Sequence, residues 1–258
     1  MPPAPETVEV DFIAPRHLAG GGDPAWITVP LHRACGWSHG NDPLMPRVLL
    51  ASPDQKALLR LEPDPDRQWC TLSHAAEPDR PAWYASFGAR TPVELIAAVT
   101  DTLTDSASAA SAPSDPYEPL LQIGWSPYCE SGLVSPDNAT YVEHLGTPDD
   151  PRAWFVTVTV GLHQKVWQAR FGEHTPARLV TAFTAALADP APVARTDSVR
   201  SLPTHGPNVV TRRTTDVPAV LVAGALEERV HTLAARQTVP PTSPMPSAPA
   251  PVKNGRRA

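Results

Sequence analysis

Two stretches of this chain, WYASFGARTPVEL at residues 83–95 and WQARFGEHTPARL at residues 167–179, are one segment written twice. At a constant offset of 84, Trp83, Phe87, Gly88, Thr91, Pro92 and Leu95 fall on Trp167, Phe171, Gly172, Thr175, Pro176 and Leu179, and the register continues through Ala98 with Ala182 and Leu103 with Leu187. Trp83, Ala85 and Phe87, like Trp167, Ala169 and Phe171, recur at period two, which places them on one face of a strand. The period then changes to that of a helix: Leu95, Ile96, Val99 and Leu103, matched by Leu179, Val180, Phe183 and Leu187, make an apolar stripe suited to covering a sheet. At the change, Thr91 and Thr175 read as N-caps and Pro92 and Pro176 as first helical residues, where a missing N–H costs nothing. Glu94 completes a capping box that Arg178 cannot.

Upstream the same order recurs. Ser52-Pro53-Asp54 answers Ser135-Pro136-Asp137, and Gly36-Trp37-Ser38 answers Gly124-Trp125-Ser126; the small slips in offset are changes of loop length. Leu31 to Cys35 and Glu118 to Ile123 are short helix-compatible runs ending at glycines, the residue type that best closes a helix in the left-handed conformation. Val48 to Ala51 and Lys56 to Leu61 flank the first Ser-Pro-Asp. There proline presets a turn dihedral and Asp suits the next position, and Asn138 in the second copy tolerates positive φ. Third strands fit Trp69 to Ala75 and Ala153 to Val160.

The expected fold is therefore α+β: two tandem ββββα units whose antiparallel sheets, each with an open edge and a bare face, pack as a pseudo-symmetric pair. The expected organisation is a first repeat with its N-terminal arm over 15–104 and a second repeat over 117–189. A linker over 190–216 and an amphipathic helix over 217–237, with Leu226, Val230 and Leu233 on one side, would follow. Thr104 to Pro116 reads as a linker between the repeats. Proline supplies 33 of 258 residues, well above the usual ~5%. The Pro-rich, basic tail over 238–258, with Lys253, Arg256 and Arg257, has too little apolar surface to order itself and is expected to be disordered.

The two SPD turns, the paired Gly-Trp and the W-x-A-x-F-G-x-x-T-P helix entry resemble the SPDY-domain family, a domain of unknown function found in high-GC actinobacteria and often present in two copies. The resemblance covers both repeats and the arm Pro15 to Pro30, and it implies a fold without an activity. Gln55 and Asn138 stand after Ser-Pro-Asp, where the family motif has Tyr. Independently, tandem ββββα topology is similar to the PUR and Whirly single-strand-binding folds, an analogy of topology alone.

Net charge is −6, divided as −6 over residues 1–110, −5 over 111–190 and +5 over 191–258. An acidic body repels a phosphate backbone, so a nucleic-acid role would fall to the basic C-terminal region, with Arg195, Arg200, Arg212 and Arg213. No apolar run approaches the ~18 residues needed to cross a bilayer, and the first residues show no basic leader followed by an apolar block; a cytoplasmic protein is expected. Three cysteines, Cys35, Cys70 and Cys129, lack the spacing of a disulfide framework or a zinc ribbon.

Chemistry-bearing patterns are weak. Ser52 with Asp54, and Ser135 with Asp137, could be nucleophile and acid, but no base or Gly-x-Ser-x-Gly elbow accompanies them, and a hairpin turn accounts for both. His32, Cys35, His39 and Asp42 have zinc-compatible spacing that the second copy does not repeat. Gly20-Gly21-Gly22 lacks the context of a phosphate cradle and reads as a flexible turn. No catalytic, cofactor-binding or metal-binding residue is expected. Six of the seven tryptophans pair through the repeat: Trp37 with Trp125, Trp69 with Trp154, Trp83 with Trp167. They are either core or a stacking platform for bases, and an aromatic-poor chain needs them in its core. The expected function is a non-enzymatic interaction module that binds a protein partner or self-associates through its twin sheets. The alternative is single-stranded nucleic-acid binding on the sheet faces, with Trp37, Trp125, Trp69 and Trp154 as stacking candidates. Burial of Trp83 and Trp167 under their helices favours the first; exposure beside arginines favours the second.

Overall fold

The computed structural model describes residues 6–40, 47–62, 68–105, 115–147, 150–161, 164–196 and 209–238. After strand β1 (Thr7–Ala14) and a single 3-10 turn (Arg16–Leu18), the first repeat runs α1 (Ala25–Arg33), β2 (Ser38–Gly40), β3 (Val48–Ala51), β4 (Ala57–Leu61), β5 (Gln68–His74), β6 (Trp83–Gly88) and α2 (Val93–Thr104). The second repeats this order as α3 (Glu118–Leu121), β7 (Ser126–Cys129), β8 (Gly132–Val134), β9 (Thr140–Thr147), β10 (Asp150–Val160), β11 (Gln164–Phe171) and α4 (Ala177–Ala188). Strands β12 (Val193–Arg195) and β13 (Thr211–Pro218) and helix α5 (Ala219–Thr238) follow. Among the described residues each repeat thus shows five strands, one more than its pattern announces, because β2 and β7 are too short to show an alternation.

The repeats join through the edges of their last strands. The ten-stranded antiparallel sheet has the order β2-β3-β4-β5-β6-β11-β10-β9-β8-β7, so two meanders meet where β6 pairs with β11. There Ala85 lies opposite Phe171, Ser86 opposite Arg170 and Phe87 opposite Ala169. Ser86 and Arg170 are counterparts at the repeat offset of 84, so the pseudo-two-fold axis passes between them. Each repeat thereby covers the other's open edge. The glycines of the repeated Phe-Gly allow a close approach at this crossing: a Cβ on Gly88 would lie 3.3 Å from the Gln168 backbone, and one on Gly172 2.9 Å from the Tyr84 ring.

Helices α2 and α4 lie side by side on one face of the sheet, with α1 against α2 and α3 against α4. Between helices and sheet, Phe183 stacks on Phe87 at 5.9 Å and meets Phe171 edge-on at 5.3 Å, all three fully buried. The expected N-caps are corrected. Both helices begin one residue later than read, with Pro92 and Pro176 in extended conformation (ψ 128° and 129°) at the cap position and no side-chain cap bond. Thr91 and Thr175 instead donate their N–H groups to Gly88 and Gly172 carbonyls at 3.0 Å, closing a tight turn. Glu94 closes no capping box, because Arg195 claims both its oxygens. Gly36 and Gly124 do take the positive φ (68° and 88°) that ends a helix.

The segment 190–216 is not a linker throughout. β12 and β13 flank β1 in a three-stranded antiparallel sheet, so the strand before the first repeat and the chain after the second are woven together. Helix α5 packs on α1 with Val230 and Leu233 buried. Its Arg229 donates two hydrogen bonds to Asp101 of α2, at 2.8 and 3.0 Å, and one to the Trp26 carbonyl at 2.8 Å. The tail from 239 onward, residues 106–114 of the inter-repeat connection, Asp42 and Arg200 lie outside the described residues. No described helix is long and apolar enough to cross a membrane.

Candidate functional site

The side chains that alternate with the core set point to the opposite face of the ten-stranded sheet, where those of β4, β6, β10 and β11 are mostly half-buried or exposed. Tyr84, Leu58, Tyr128 and Leu145 are among the exposed large apolar residues, Tyr84 at 38%. On the pseudo-axis, the Arg170 guanidinium lies over the rings of Tyr84, at 5.6 Å, and Phe155, at 5.4 Å, a cation–π sandwich across β6, β11 and β10. Gln168 donates to Thr157 Oγ1 at 2.9 Å beside it. Further out, Tyr128 and Tyr141 meet edge-on at 5.2 Å, and the Tyr128 hydroxyl donates to Glu143. Burial, reinforced by the neighbouring carboxylate, pushes the Tyr128 phenol above its ordinary range, so it remains a donor. The result is a broad surface of aromatic and aliphatic patches tied down by polar contacts, capable of recognition by contact.

The paired tryptophans lie elsewhere. Trp37, Trp125, Trp83 and Trp167 are buried in the core, and Trp69 and Trp154 are half-buried against it. Trp154 stacks on His144 at 4.5 Å and meets the Tyr117 ring at 4.9 Å. Their use as a base-stacking platform on the sheet is thereby corrected: the alternation that puts Trp83 and Trp167 beneath the helices leaves Tyr84 and Arg170 on the free face. The arginines named with them are also separate. Arg195 is buried, donating to both Glu94 oxygens at 2.7 and 2.9 Å and to the Gly20 carbonyl at 3.0 Å; Arg212 bonds Asp11; Arg213 covers the Phe12 ring at 5.5 Å. All three sit on the three-stranded sheet.

The Ser-Pro-Asp segments form matching turns. Ser52 Oγ donates to Asp54 Oδ1 at 2.6 Å and accepts the Ala57 N–H at 2.9 Å, while Asp54 Oδ1 also accepts the Lys56 N–H at 3.1 Å. In the second copy Ser135 donates to Asp137 and accepts the Thr140 N–H at 2.9 Å, and Asp137 Oδ1 accepts the Ala139 N–H at 3.0 Å. Gln55 and Asn138 take positive φ, 61° and 56°, one residue after each Asp. Asp137 differs in having His17 Nε2 2.8 Å from its second oxygen. Burial alone would raise its pKa, but the hydrogen bonds from His17 and Ser135 overcome this and hold it near about 2.

Of the metal-spaced residues, His32 directs Nδ1 to the Trp37 carbonyl at 2.8 Å, and burial pushes the Cys35 thiol up. Among the described residues no three His, Cys, Asp or Glu side chains gather at metal-binding distance. The Gly20–Gly22 run is held rather than loose, since the Gly21 carbonyl accepts the Val93 N–H at 2.7 Å and Gly22 packs against Arg195.

The family model of SPDY, a domain of unknown function (DUF317), matches residues 51–109 and 134–193. The chain carries two tandem SPDY domains. Each matched region starts at the strand end that enters the Ser-Pro-Asp turn and closes just beyond the long helix, so the N-terminal arm, α1 and α5 lie outside the SPDY matches. No curated protein and no solved structure matches the chain.

The free-face residues Tyr84, Phe155, Tyr128, Tyr141 and Arg170 were not singled out from the sequence. The signal was present in the complement of the Trp-Ala-Phe alternation, at Tyr84 with Ser86 and at Gln168 with Arg170. It became a surface only when β6 met β11.

Proposed function

We propose that the tandem SPDY domains form a non-enzymatic interaction module that binds a protein through the free face of the ten-stranded sheet. The observation that carries this reading is that face itself: opposite the helices, Tyr84 and Phe155 flank Arg170, and Leu58, in line with Tyr84 across β5, is exposed on the same side. Tyr, Phe and Arg are the residues enriched where proteins meet, and apolar groups rimmed by polar ones mark such surfaces. Binding a nucleic-acid backbone calls instead for a surplus of unpaired cations. Arg195 is spent on Glu94, Arg212 bonds Asp11, and Arg60 lies 3.2 Å from Glu62, which weighs against that alternative.

Replacing Tyr84 and Leu58 together by Glu tests the reading, because both are exposed and their loss spares the core. Self-association by light scattering, or retention of a partner in affinity capture followed by reconstitution with the purified partner, should fall sharply while the melting temperature holds. Unchanged association would remove the sheet face from consideration. Binding of a labelled single-stranded oligonucleotide that weakens steeply with salt would transfer the function to nucleic acid.

A further inference from the structure

The rest of the chain treats the two SPDY domains unequally. On the second, the arm between β1 and α1 is seated by polar contacts: His17 Nε2 lies 2.8 Å from Asp137 Oδ2, and the His17 carbonyl accepts the Trp167 indole N–H at 2.9 Å. Four residues on, the Gly21 carbonyl accepts the N–H of Val93, the first residue of α2, at 2.7 Å. These groups are neighbours because β11 crosses β6 beside Gly88, which brings the start of α2 next to Trp167.

The pseudo-two-fold axis maps this seat onto Asp54, Trp83 and Ala177. Among the described residues none of the three has the corresponding partner. Asp54 uses Oδ1 for Ser52 and Lys56, and nothing bonds Oδ2. Trp83 is 8% exposed, and its indole N–H has no acceptor among the described residues and is open to solvent, where that of Trp167 is bonded to the arm. Ala177 opens α4 with an N–H that finds no carbonyl, and it is exposed where Val93 is buried. His74 adds an aromatic wall, stacked on Trp83 at 5.5 Å in the register position that Val158 holds beside Trp167.

Charge distinguishes the two seats. Glu94 in α2 holds Arg195 across the arm, whereas its counterpart in α4 is Arg178, which has no ion pair among the described residues and a buried Nε without an acceptor. Arg80 lies close enough to disfavour its charge further. The chain's own candidate for this seat is the segment preceding α3, which corresponds to the arm preceding α1. Its residues 106–114, SASAASAPS, contain no imidazole, amine, guanidinium or carboxylate.

We propose that the seat formed by Asp54, Trp83, Ala177 and Arg178 binds a segment of another protein that repeats the chemistry of the arm. That segment offers an imidazole or cationic side chain to Asp54 and main-chain carbonyls to the Trp83 indole and the Ala177 N–H. It also brings an acidic side chain for Arg178, in place of the charge that Arg195 supplies on the other side. The arm itself has this order, with His17 followed six residues later by Asp23. The seat uses residues other than Tyr84, Phe155 and Arg170 of the free sheet face, so either surface can fail alone.

The arm sequence serves as the probe. A fluorescein-labelled peptide of residues 11–24, titrated with the full chain and followed by anisotropy, should bind saturably. Asp54→Asn or Arg178→Glu in the protein, or His17→Ala in the peptide, should each weaken binding by about ten-fold or more. Asp54 is exposed, so its variant keeps the fold. No binding up to about 1 mM peptide, or equal affinity for wild type and Asp54→Asn, would overturn the proposal. Light scattering decides the source of the segment: a monomer supports a different protein, whereas a dimer dissociated by Asp54→Asn would assign the seat to the arm of a second copy and defeat the partner reading.

Discussion

Trp83 and Trp167 occupy one position in the repeat and share its burial, but only the second has an acceptor for its indole N–H, so the same residue type carries different loads in the two copies. Truncating Trp167 to Ala should cost about 3–5 kcal/mol from lost packing, measured as a shift in urea midpoint at constant slope. Trp167→Phe keeps most of the packing and strands the His17 carbonyl, and should cost about 1–3 kcal/mol; the matching Trp83→Phe should cost less. Asp137 ties the same contact to pH. Its folded pKa, about 2, lies below the ordinary value of about 3.9, so its stabilisation is complete above about pH 4 and is lost as pH falls toward 2. Asp137→Asn should therefore lower stability at pH 7 by about 1–2 kcal/mol, allowing for partial exposure, and should flatten the loss between pH 4 and pH 2. An acid limb identical to wild type in urea denaturation would contradict this account of His17 and Asp137.

At the scale of elements, a buried ion pair ties the three-stranded sheet to the first repeat. Arg195 of β12 reaches Glu94 in the first turn of α2, with side chains 8% and 19% exposed. Breaking such a pair leaves one charge buried and uncompensated, so Arg195→Ala should destabilise by about 3–5 kcal/mol. Hydrogen exchange should rise first in β12 and along β1, since Asp11 to Ile13 pair with Val193 to Arg195. Uniform exchange across the whole molecule would show that the pair does not anchor this element. The same interaction explains why the capping box written into Thr91 and Glu94 does not form: a bidentate guanidinium bond is stronger than a capping bond to one backbone N–H.

At the scale of the molecule, the pairing of β6 with β11 joins the two SPDY domains in one sheet, and cooperative unfolding is expected. Thermal unfolding should give one transition with equal calorimetric and van't Hoff enthalpies, and two resolved transitions would mean that each repeat folds alone. Removing Pro240 to Ala258 should leave the melting temperature unchanged, because that segment contributes no periodic apolar face; a drop of several degrees would show that it docks on the body.

Repetition made the units legible. Phe-Gly-x-x-Thr-Pro, Ser-Pro-Asp and Gly-Trp act through local backbone geometry and short-range periodicity, so the order of strand, turn and helix follows from residues within a few positions of one another. The turn at Ser52 to Ala57 closes entirely on its own hydrogen bonds, which is why it can be read from six residues. Other features depend on contacts between residues far apart in the chain. Whether two open sheet edges meet edge to edge, which way Glu94 turns, and what β1, β12 and β13 pair with are decided by competition among surfaces that only the assembled molecule brings together. β13 reads TRRTTDVP and shows no apolar alternation of its own; it is a strand because β1 supplies the backbone partners. The free face around Arg170 belongs to the same class. Local sequence determines which side of each strand is buried, and the tertiary pairing of β6 with β11 turns the remaining sides into one surface.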